Sequence, residues 1–453
     1  MDRPHLHVRP ERGWVNDPNG PIRWGGRCHL FFQHNPLGPV HGFIGWGHVS
    51  SDDLVRWRVE PVALTPTPDG PDAAGCWSGC VVDDGGMPTA VYTGLATSDP
   101  MAATICLAVG DDQLRGWRSA PDPVAEPPPA YDLAGFRDPF VFEHSGQRYA
   151  VVGGGRSDGS AVLLLYGCDD LHSWTLLGPL LDSRSSPDVG APEVWAAEIW
   201  ECPQLFRLRN RWVLVLSLVV DDALTRVAYL VGDLESTATG PRFRPDHGDL
   251  LDHGHDLYAP AVLVETERVL LWGWSWEDRA QTEIDAAGWA GVLTWPRELD
   301  LLPDGRLVAR PAPELEALRG AAHAWDSAAG PMTLPEGPVE IVVGVPTRSA
   351  TLRLGAARAA LSLTFTNGEV RLDREVHDES RRRWRTTATL VGSATTVRLV
   401  VDGSLVEVYV DDGPTYTERV YPSGQWTLEV HGGACTTVYR LGLPGIDRGA
   451  VSR

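Results

Sequence analysis

The sequence predicts an all-β protein, a five-bladed β-propeller followed by a C-terminal β-sandwich. Short strands rich in Val, Leu, Ile, Trp and Tyr alternate with turns of Gly, Pro and Asp, and no long segment shows a 3.6-residue period. One motif recurs through the first part of the chain, as radial repetition of a blade requires. Cleaner alternation around a tight turn then indicates a second β region.

The recurring motif is Asp-Leu-x-x-Trp at 53–57, with echoes at 112–117 and 170–174 and a fainter trace at Asp233-Leu234. Its spacing of about 60 residues is enough for a four-stranded sheet with its loops, which is one propeller blade. Continued to about Pro311, that spacing gives about five blades. The alternative is that the motif is only a common turn at the start of a strand.

We expect three regions, namely a propeller domain over residues 1–315, a linker over 316–336 and a β-sandwich domain over 337–447. The linker follows a Leu-Pro-Asp-Gly turn at 302–305 and is rich in Ala and Glu. In the third region, alternating runs at 397–401 and 406–410 flank Asp402-Gly403, which is a strong hairpin signal.

Charge and composition exclude several functions. The chain has 39 Lys+Arg against 60 Asp+Glu, a net charge of −21, so we expect neither nucleic acid nor a membrane as a partner. The first residues lack the basic start and apolar stretch of a secretory signal, and no run approaches the roughly 18 apolar residues of a membrane span. We therefore expect a cytoplasmic protein, and the sequence does not indicate its oligomeric state.

Neither a metal nor a cofactor is expected. The seven cysteines are scattered and odd in number, which indicates reduced and mostly buried thiols. Cys76 and Cys80 are close in sequence, but no second pair at ligand spacing follows them. The His-Gly-His-Asp cluster at 253–256 is too compact for a metal site, and the Gly-rich run at 152–156 lacks the Lys-Ser/Thr ending of a phosphate loop.

Two Asp-Pro turns place carboxylates where a ligand can reach them. In the segment 14–20, Trp-Val-Asn-Asp-Pro-Asn-Gly, the Asp-Pro and Asn-Gly pairs fix Asp17 in a rigid turn. In Phe-Arg-Asp-Pro at 136–139, Arg137 is a candidate ion-pair partner that keeps Asp138 ionised. The alternative for each is a surface turn with at most a weak salt bridge.

A third acid lies at the end of an apolar stretch. Glu201 stands between a Trp and a Cys, where burial would raise a carboxyl pKa as a general acid requires, and Glu198 is its rival. Two acids with separated pKa values are the minimum for cleaving a glycosidic bond. Flat apolar faces for stacking on sugar rings would come from Trp14, Trp46, Trp77 and Trp274.

These segments resemble the motifs of a known family, glycoside hydrolase family 32, the invertase, levanase and inulinase group. Segment 14–20 is nearly identical to the family signature, and segments 136–139 and 200–203 match its second and third acidic boxes. Further matches follow in the same order at 30–36, 46–50, 77–79, 256–259, 288–293 and 401–404. The resemblance spans nearly the whole chain.

The resemblance implies a five-bladed propeller joined to a β-sandwich, with the active site at the propeller axis. It implies that Asp17 is the nucleophile, that Glu201 is the acid/base, and that Asp138 stabilises the transition state. Net retention would follow, with the carboxyl groups of Asp17 and Glu201 about 5–5.5 Å apart. The expected substrate-binding residues are Trp14, Asn16, Gln33, His41, Trp46, Trp77, Ser78, Arg137, Tyr258 and Trp274.

The chain departs from the family pattern at three places. His41-Gly42-Phe43 stands where the family usually has Trp-Gly-Asn, Cys80 replaces a Ser, and Gln204 replaces an Asp. The three acids are unaffected. The changes concern the leaving-sugar subsite, because His41 offers less stacking surface than Trp and Gln204 removes a charge.

We expect retaining hydrolysis of terminal β-fructofuranosyl bonds in sucrose or short fructo-oligosaccharides through a covalent fructosyl-enzyme. One alternative is a fructosyltransferase that makes oligo- or cyclic fructosides, since its chemistry is identical up to the intermediate. A second is an inverting hydrolase of arabinan or xylan, with carboxyl groups about 6.5–9.5 Å apart. A third is a non-catalytic sugar-binding module, which would not need all three acids.

Overall fold

The computed structural model describes residues 2–185, 189, 192–326, 330–346, 349–356, 359–376, 383–390, 394–432 and 436–442. Over these ranges the strands form five sheets of four or five strands, followed in the chain by two sheets of six strands. This is the five-bladed propeller and β-sandwich that the sequence predicts.

The first four blades are each built from four consecutive antiparallel strands. Blade I comprises β1 (Gly13–Trp24), β2 (Arg27–Asn35), β3 (Gly45–Ser51) and β4 (Trp57–Val59). Blade II comprises β5 (Gly75–Asp83), β6 (Pro88–Leu95), β7 (Ala103–Gly110) and β8 (Trp117–Ser119). Blade III comprises β9 (Leu133–His144), β10 (Gln147–Arg156), β11 (Ala161–Gly167) and β12 (Thr175–Asp182). Blade IV comprises β13 (Ile199–Leu208), β14 (Arg211–Val220), β15 (Ala223–Thr237) and β16 (Gly240–Leu250).

The fifth blade also closes the ring. The chain from 258 to 311 forms β17 (Tyr258–Val264), β18 (Val269–Ser275), β19 (Trp289–Ala290), β20 (Val292–Leu293), β21 (Arg297–Leu301) and β22 (Leu307–Pro311). Of these, β19 pairs in parallel with β1 of blade I. The Leu293 amide also donates to the Val8 carbonyl at 2.8 Å. These backbone bonds join the first and last blades and close the propeller ring.

The repeat lies at equivalent positions of three blades. Trp57 and Trp117 begin β4 and β8, and Trp174 directly precedes β12, so the motif is the turn into the outermost strand. It is therefore both a strand-entry turn and a blade repeat. In blade II the capping carboxylate belongs to Asp111, which accepts from the backbone amides of the turn. The fainter trace at Asp233-Leu234 is wrong, because these residues lie inside β15.

Twelve strands make up the sandwich within the described ranges. They are β23 (Arg319–Trp325), β24 (Met332–Thr333), β25 (Val339–Pro346), β26 (Ser349–Ala356), β27 (Ala359–Thr366), β28 (Glu369–Val376), β29 (Trp384–Thr389), β30 (Ala394–Asp402), β31 (Leu405–Val410), β32 (Thr415–Arg419), β33 (Thr427–His431) and β34 (Thr436–Leu441). One sheet has the order β23-β34-β25-β30-β31-β32 and the other β24-β33-β26-β27-β28-β29. Leu, Val, Ile and Phe side chains from both sheets share one core.

Strands β23 and β24 lie within the expected linker at 316–336 and belong instead to the two sandwich sheets. Strand β23 pairs with β34, and β24 pairs with β33. Most side chains of β23 are exposed, so this edge strand carries no apolar alternation that a sequence pattern could reveal. We propose that the second domain begins near Arg319, directly after a 3₁₀ helix at Pro313–Leu318.

Little of the described part of the chain is helical. The α-helices are α1 (Pro192–Ala196) and α2 (Gln281–Ala287), and further 3₁₀ turns lie at Pro100–Ala102, Pro129–Tyr131 and Ser183–Ser185. Over the described part of the chain, none of the helices has the length and apolar character needed to cross a membrane.

A buried ionic network joins the propeller to the sandwich. Arg297 is fully buried and donates to Asp252 at 2.7 Å and to Glu407 of the sandwich at 2.7 Å. His7 lies between Asp402 and Glu407 at 2.7 and 2.9 Å. Burial opposes its charged form, but the two carboxylates outweigh burial and raise the pKa of His7 to about 9. Two cations therefore face three carboxylates across this interface.

Replacement of Arg297 should test this network. R297M leaves Asp252 and Glu407 buried without their cation, and we expect the free energy of unfolding to fall by about 3–5 kcal/mol. Urea unfolding followed by tryptophan fluorescence measures the change. The matched control is R209M, whose ion pair with Asp300 has an arginine side chain 61% exposed and should contribute about 0–1 kcal/mol. Equal losses in the two variants would contradict a structural role for the buried network.

Candidate active site

Five strands, one from each blade, surround the propeller axis. Strands β1, β5, β9, β13 and β17 contact one another in a closed ring. Each has a register shift at the corresponding point, and the shifts fall at Asn16-Asp17, Trp77-Ser78, Asp138-Pro139, Cys202-Pro203 and Ala259-Pro260. A bulge turns a side chain that would otherwise follow the pleat. The five bulges thus define one site built from five distant parts of the sequence.

Backbone conformation at three of the bulges is unusual. Asp138, Cys202 and Ala259 have φ angles of 61°, 45° and 47°, in the left-handed region that residues other than Gly rarely adopt. Such strain persists only where surrounding structure imposes it, and it is common at functional sites. Here the strained residues follow Arg137, Glu201 and Tyr258 directly in sequence.

Asp17 accepts hydrogen bonds from several sides. The Ser78 hydroxyl donates to Oδ2 at 2.6 Å, the Gln33 amide donates to Oδ2 at 3.1 Å, and the Asn16 amide donates to Oδ1 at 2.9 Å. Trp14 in turn donates from its indole to Asn16 Oδ1 at 2.8 Å. The Asp17 carboxylate is therefore fixed in orientation by neighbours that are themselves held.

Asp138 lies in the same cluster, linked to Asp17 by a cysteine. The Cys202 amide donates to Asp138 Oδ2 at 3.0 Å, and Cys202 Sγ lies 3.5 Å from that oxygen and 3.6 Å from Asp17 Oδ2. Burial, with the neighbouring carboxylates, raises the pKa of the Cys202 thiol well above its ordinary value, so its S–H can donate to either acid. The Thr93 hydroxyl accepts from the Asp138 amide at 2.7 Å.

Glu201 is held at both carboxylate oxygens. Arg137 donates from Nε to Oε1 at 2.7 Å, and the Tyr258 hydroxyl donates to Oε2 at 2.6 Å. The side chains of Arg137 and Glu201 are each 13% exposed, which leaves this pair within reach of a ligand. The rival acid Glu198 instead accepts from the Asp222 amide at 3.3 Å.

Burial and neighbouring carboxylates shift the pKa values of the two aspartates. Burial raises the pKa of Asp17, opposed by the hydrogen bonds from Ser78 and Asn16 and reinforced by the charge of Glu201. Burial and the charge of Glu201 raise the pKa of Asp138 to about 7, although Arg137 acts in the opposite direction. The expectation that Arg137 keeps Asp138 ionised is therefore wrong, because its guanidinium is bonded to Glu201.

The predicted aromatic residues divide into a rim and a core. The His41 ring lies edge-on to both Trp14 and Trp77, with centroids 6.3 and 5.8 Å apart. Trp274 packs edge-on against Trp14 at 5.7 Å and is 6% exposed. Trp46 is fully buried, so its assignment as a sugar-binding residue is wrong. Its indole donates to the Trp77 carbonyl at 3.0 Å, and it supports the rim from below.

Two departures from the family pattern lie between blades, and the third lies at the rim. Cys80 Sγ accepts from the Val141 amide at 3.4 Å. Gln204 accepts from the Val262 amide at 3.0 Å and donates to the Pro203 carbonyl at 2.9 Å. Because an amide side chain can donate and accept at once, Gln204 links blades IV and V without a charge. Phe43 is 74% exposed, close in sequence to His41.

Several residues of this site carried no assigned role in the sequence. Cys202 contacts both aspartates, Thr93 fixes the Asp138 backbone, and Trp276 packs against Tyr258 with ring centroids 5.6 Å apart. A signal for Cys202 was present, since Asp17, Asp138, Cys202 and Ala259 each precede a Pro at intervals of about 60 residues or a multiple. Within the described ranges, no group of three His, Cys, Asp or Glu side chains is arranged to hold a metal ion.

Fold and site together define a glycoside hydrolase. The model of the glycosyl hydrolases family 32 N-terminal domain matches residues 7–311, and that of the family 32 C terminal matches 346–438. The chain therefore belongs to glycosyl hydrolase family 32. Sucrose-6-phosphate hydrolase of Salmonella typhimurium is 33% identical over 94% of this chain and 90% of that protein. Raffinose invertase of Escherichia coli is 32% identical over 96% and 93%.

Solved structures agree with this assignment. The GH32 beta-fructofuranosidase of Bombyx mori is 27% identical, with a TM-score of 0.81 over 98% of this chain and 94% of that chain. A mutant of the same silkworm protein has been solved in complex with sucrose, also at a TM-score of 0.81.

The raised pKa of Asp138 makes stability depend on pH. Between the ordinary value of 3.8 and about 7, the folded state keeps a proton that the unfolded state has released, so the free energy of unfolding falls as pH rises. We expect D138N to match the wild type at pH 4 and to be more stable than it at pH 8, measured by urea unfolding. The exposed D112N is the control. A D138N variant less stable than the wild type at pH 8 would contradict the raised pKa of Asp138.

Proposed function

We propose that the chain hydrolyses terminal β-fructofuranosyl bonds in sucrose or short fructo-oligosaccharides with net retention, through a covalent intermediate on Asp17. The observation that carries this proposal is the different treatment of two carboxylates in one cluster. Asp17 accepts from Ser78, Gln33 and Asn16, whereas Glu201 is held by Arg137 and Tyr258. Separate environments allow separate roles.

In the first step Asp17 attacks the anomeric carbon while Glu201 gives its proton to the departing glycosidic oxygen. The donors around Asp17 favour its ionised form and fix the orientation of its carboxylate. In the second step Glu201 takes a proton from water, which attacks the same carbon and releases Asp17. Arg137 and Tyr258 hold the Glu201 carboxyl group in position for both proton transfers.

Asp138 would bind hydroxyl groups of the fructosyl ring and stabilise positive charge as it develops. A carboxyl group with a pKa of about 7 ionises readily when a neighbouring positive charge forms. Asn16, Gln33 and Ser78 would line the same subsite, since each is both buried and bonded within the cluster.

The leaving sugar would lie at the rim formed by Trp14, His41 and Trp77. Burial lowers the pKa of His41, so the rim carries no cation from this residue near neutral pH. The guanidinium beside the catalytic acids is already paired with Glu201. We therefore favour unphosphorylated fructosides over phosphorylated ones, although several relatives are named sucrose-6-phosphate hydrolase.

A cytoplasmic location is consistent with the thiols. The six cysteines that the structure describes are buried and unpaired, as in reducing compartments, and Cys435 lies outside the described residues. An enzyme in that compartment would act on small imported sugars.

The two acids can be separated by their variants. D17N should reduce kcat on sucrose by several orders of magnitude, because no nucleophile remains. E201Q should do the same on sucrose but keep the first step on an aryl fructoside, whose leaving group needs no proton. Stopped-flow release of the aryl group measures that step. Either variant keeping more than about a tenth of wild-type turnover on sucrose would refute its assigned role.

One further assay distinguishes retention from inversion, and hydrolysis from fructosyl transfer. With methanol as acceptor, retention predicts methyl β-fructofuranoside as the trapped product. An α product would indicate an inverting enzyme. Predominant fructosyl transfer to sucrose over water would instead favour the fructosyltransferase alternative.

Substrate charge is tested by comparing sucrose with sucrose 6-phosphate. We expect kcat/KM to be about tenfold higher for sucrose at low ionic strength, which is about 1.4 kcal/mol of discrimination. Added salt should narrow the difference, because the net charge of −21 acts through screened long-range repulsion. A higher kcat/KM for the phosphorylated sugar would contradict the substrate assignment.

A further inference from the structure

The buried carboxylate of Asp256 accepts hydrogen bonds from both the propeller and the sandwich. It is fully buried and lies two residues before Tyr258, the residue that donates to Glu201. On the propeller side, the Trp276 indole donates to its Oδ1 at 2.8 Å. On the sandwich side, its Oδ2 accepts from the Arg374 guanidinium and from the Arg419 amide, the latter at 2.6 Å.

The segment leading to Tyr258 is bound along β32 of the sandwich. His253 and Asp256 donate from their amides to the carbonyls of Thr415 and Thr417 at 2.8 and 3.0 Å. The Thr417 amide donates back to Asp252 at 2.9 Å. The start of the innermost strand of blade V is therefore held by the second domain.

Trp276 makes the remaining link. Its ring packs against Tyr258 with centroids 5.6 Å apart and an interplanar angle of 31°, and it also lies edge-on to Trp274 at 6.0 Å. The hydrogen bond from its N–H to the buried Asp256 carboxylate restricts the orientation of the indole. That orientation determines where the Tyr258 ring lies, and hence where its hydroxyl meets Glu201.

The Asp256 carboxylate remains charged under these conditions. Burial alone would favour its neutral form, but Arg374 and the bond from His255 hold the pKa of Asp256 below its ordinary value. Arg374 is itself buried, with Glu418 at 3.1 Å and Asp278 at 4.0 Å as further acidic neighbours. Its guanidinium therefore lies close to acidic groups of both domains.

We propose that the sandwich takes part in catalysis by positioning the acid/base: Arg374 fixes Asp256, Asp256 orients Trp276, and Trp276 holds Tyr258 against Glu201. Arg374, Asp256 and Trp276 are positioning residues, since each acts through another side chain. The inference rests on the proposed role of Glu201, and it adds a role in turnover to a domain outside the propeller.

The sharpest variant is W276F, which keeps an aromatic ring against Tyr258 but removes the donor to Asp256. We expect kcat on sucrose to fall about tenfold with KM changed less than about twofold, because the proton transfer and not the fructosyl subsite is affected.

The matched control is W174F. Trp174 also donates from its indole, to the Leu171 carbonyl at 2.8 Å, and also packs on a tyrosine, Tyr166, with centroids 5.5 Å apart. It lies in blade III away from the acids, so kcat and KM should match the wild type. Equal kcat losses in W174F and W276F would overturn the proposal.

A double-mutant cycle separates positioning from general loosening. If Trp276 acts through the Tyr258 hydroxyl, adding W276F to Y258F should reduce kcat less than about twofold further. Multiplicative losses would overturn the proposal.

R374M should reduce kcat as W276F does. Its control is R371M on the same strand, where Arg371 forms an ion pair with Asp373 at 2.8 Å. R374M also weakens the domain interface, so its kcat is measured without urea. The kcat of W276F decides whether the proposal stands.

Failure of this inference is distinguishable from failure of the proposed function. Inactive D17N and E201Q with a fully active W276F would refute the positioning alone. An active E201Q would refute the acid/base assignment itself.

Discussion

Repulsion between carboxylates at the propeller axis is the constraint on which the rest of this structure depends. Asp17, Asp138 and Glu201 are close enough that the charge of Glu201 raises the pKa of both aspartates. Like charges in a buried site favour the neutral forms, so a nucleophile there needs compensation. The neutral donors around Asp17 provide it without adding a cation that would neutralise the site.

Closure of the ring makes this concentration of charge possible. The innermost strands of blades II to V are paired on one side only, and β1 of blade I pairs with both β2 and β19. The five bulges on these strands turn side chains toward a common axis. A left-handed residue such as Asp138 costs free energy that an isolated strand could not sustain. The neighbouring blades impose it, as where the Cys202 amide bonds Asp138 from blade IV. The same contacts between blades therefore stabilise the fold and determine the geometry of the site.

Much of this could be predicted from the sequence because its signals are local. The turn into the outermost strand repeats in three blades. The Asp-Pro pairs were predicted as turns, but they lie inside β1 and β9, where each coincides with a bulge. The partner of Arg137 could not be read in this way. Its neighbour in sequence is Asp138, but its guanidinium is bonded to Glu201 on the next blade, and only the ring closure determines which acid is nearer.

The other differences have related causes. Trp46 belongs to a family motif, yet sequence does not distinguish a ring that faces a sugar from one that supports the rim from within the core. Strand β23 is an exposed edge, and its residues carry no apolar alternation, so its membership of the sandwich depends on a partner strand more than 100 residues away. Long-range pairing of this kind has no local signature.

The interface between the two domains includes buried ion pairs of Arg297 and Arg374. Buried ion pairs often contribute less stability than hydrophobic packing of the same volume, and their better-attested use is to fix one arrangement against its alternatives. Here the fixed arrangement includes the chain that leads into Tyr258 and the indole that packs on it. A sliding apolar contact would allow that tyrosine several positions. An ionised Asp256 between an arginine and an indole allows one, and the acid/base is bonded to that tyrosine.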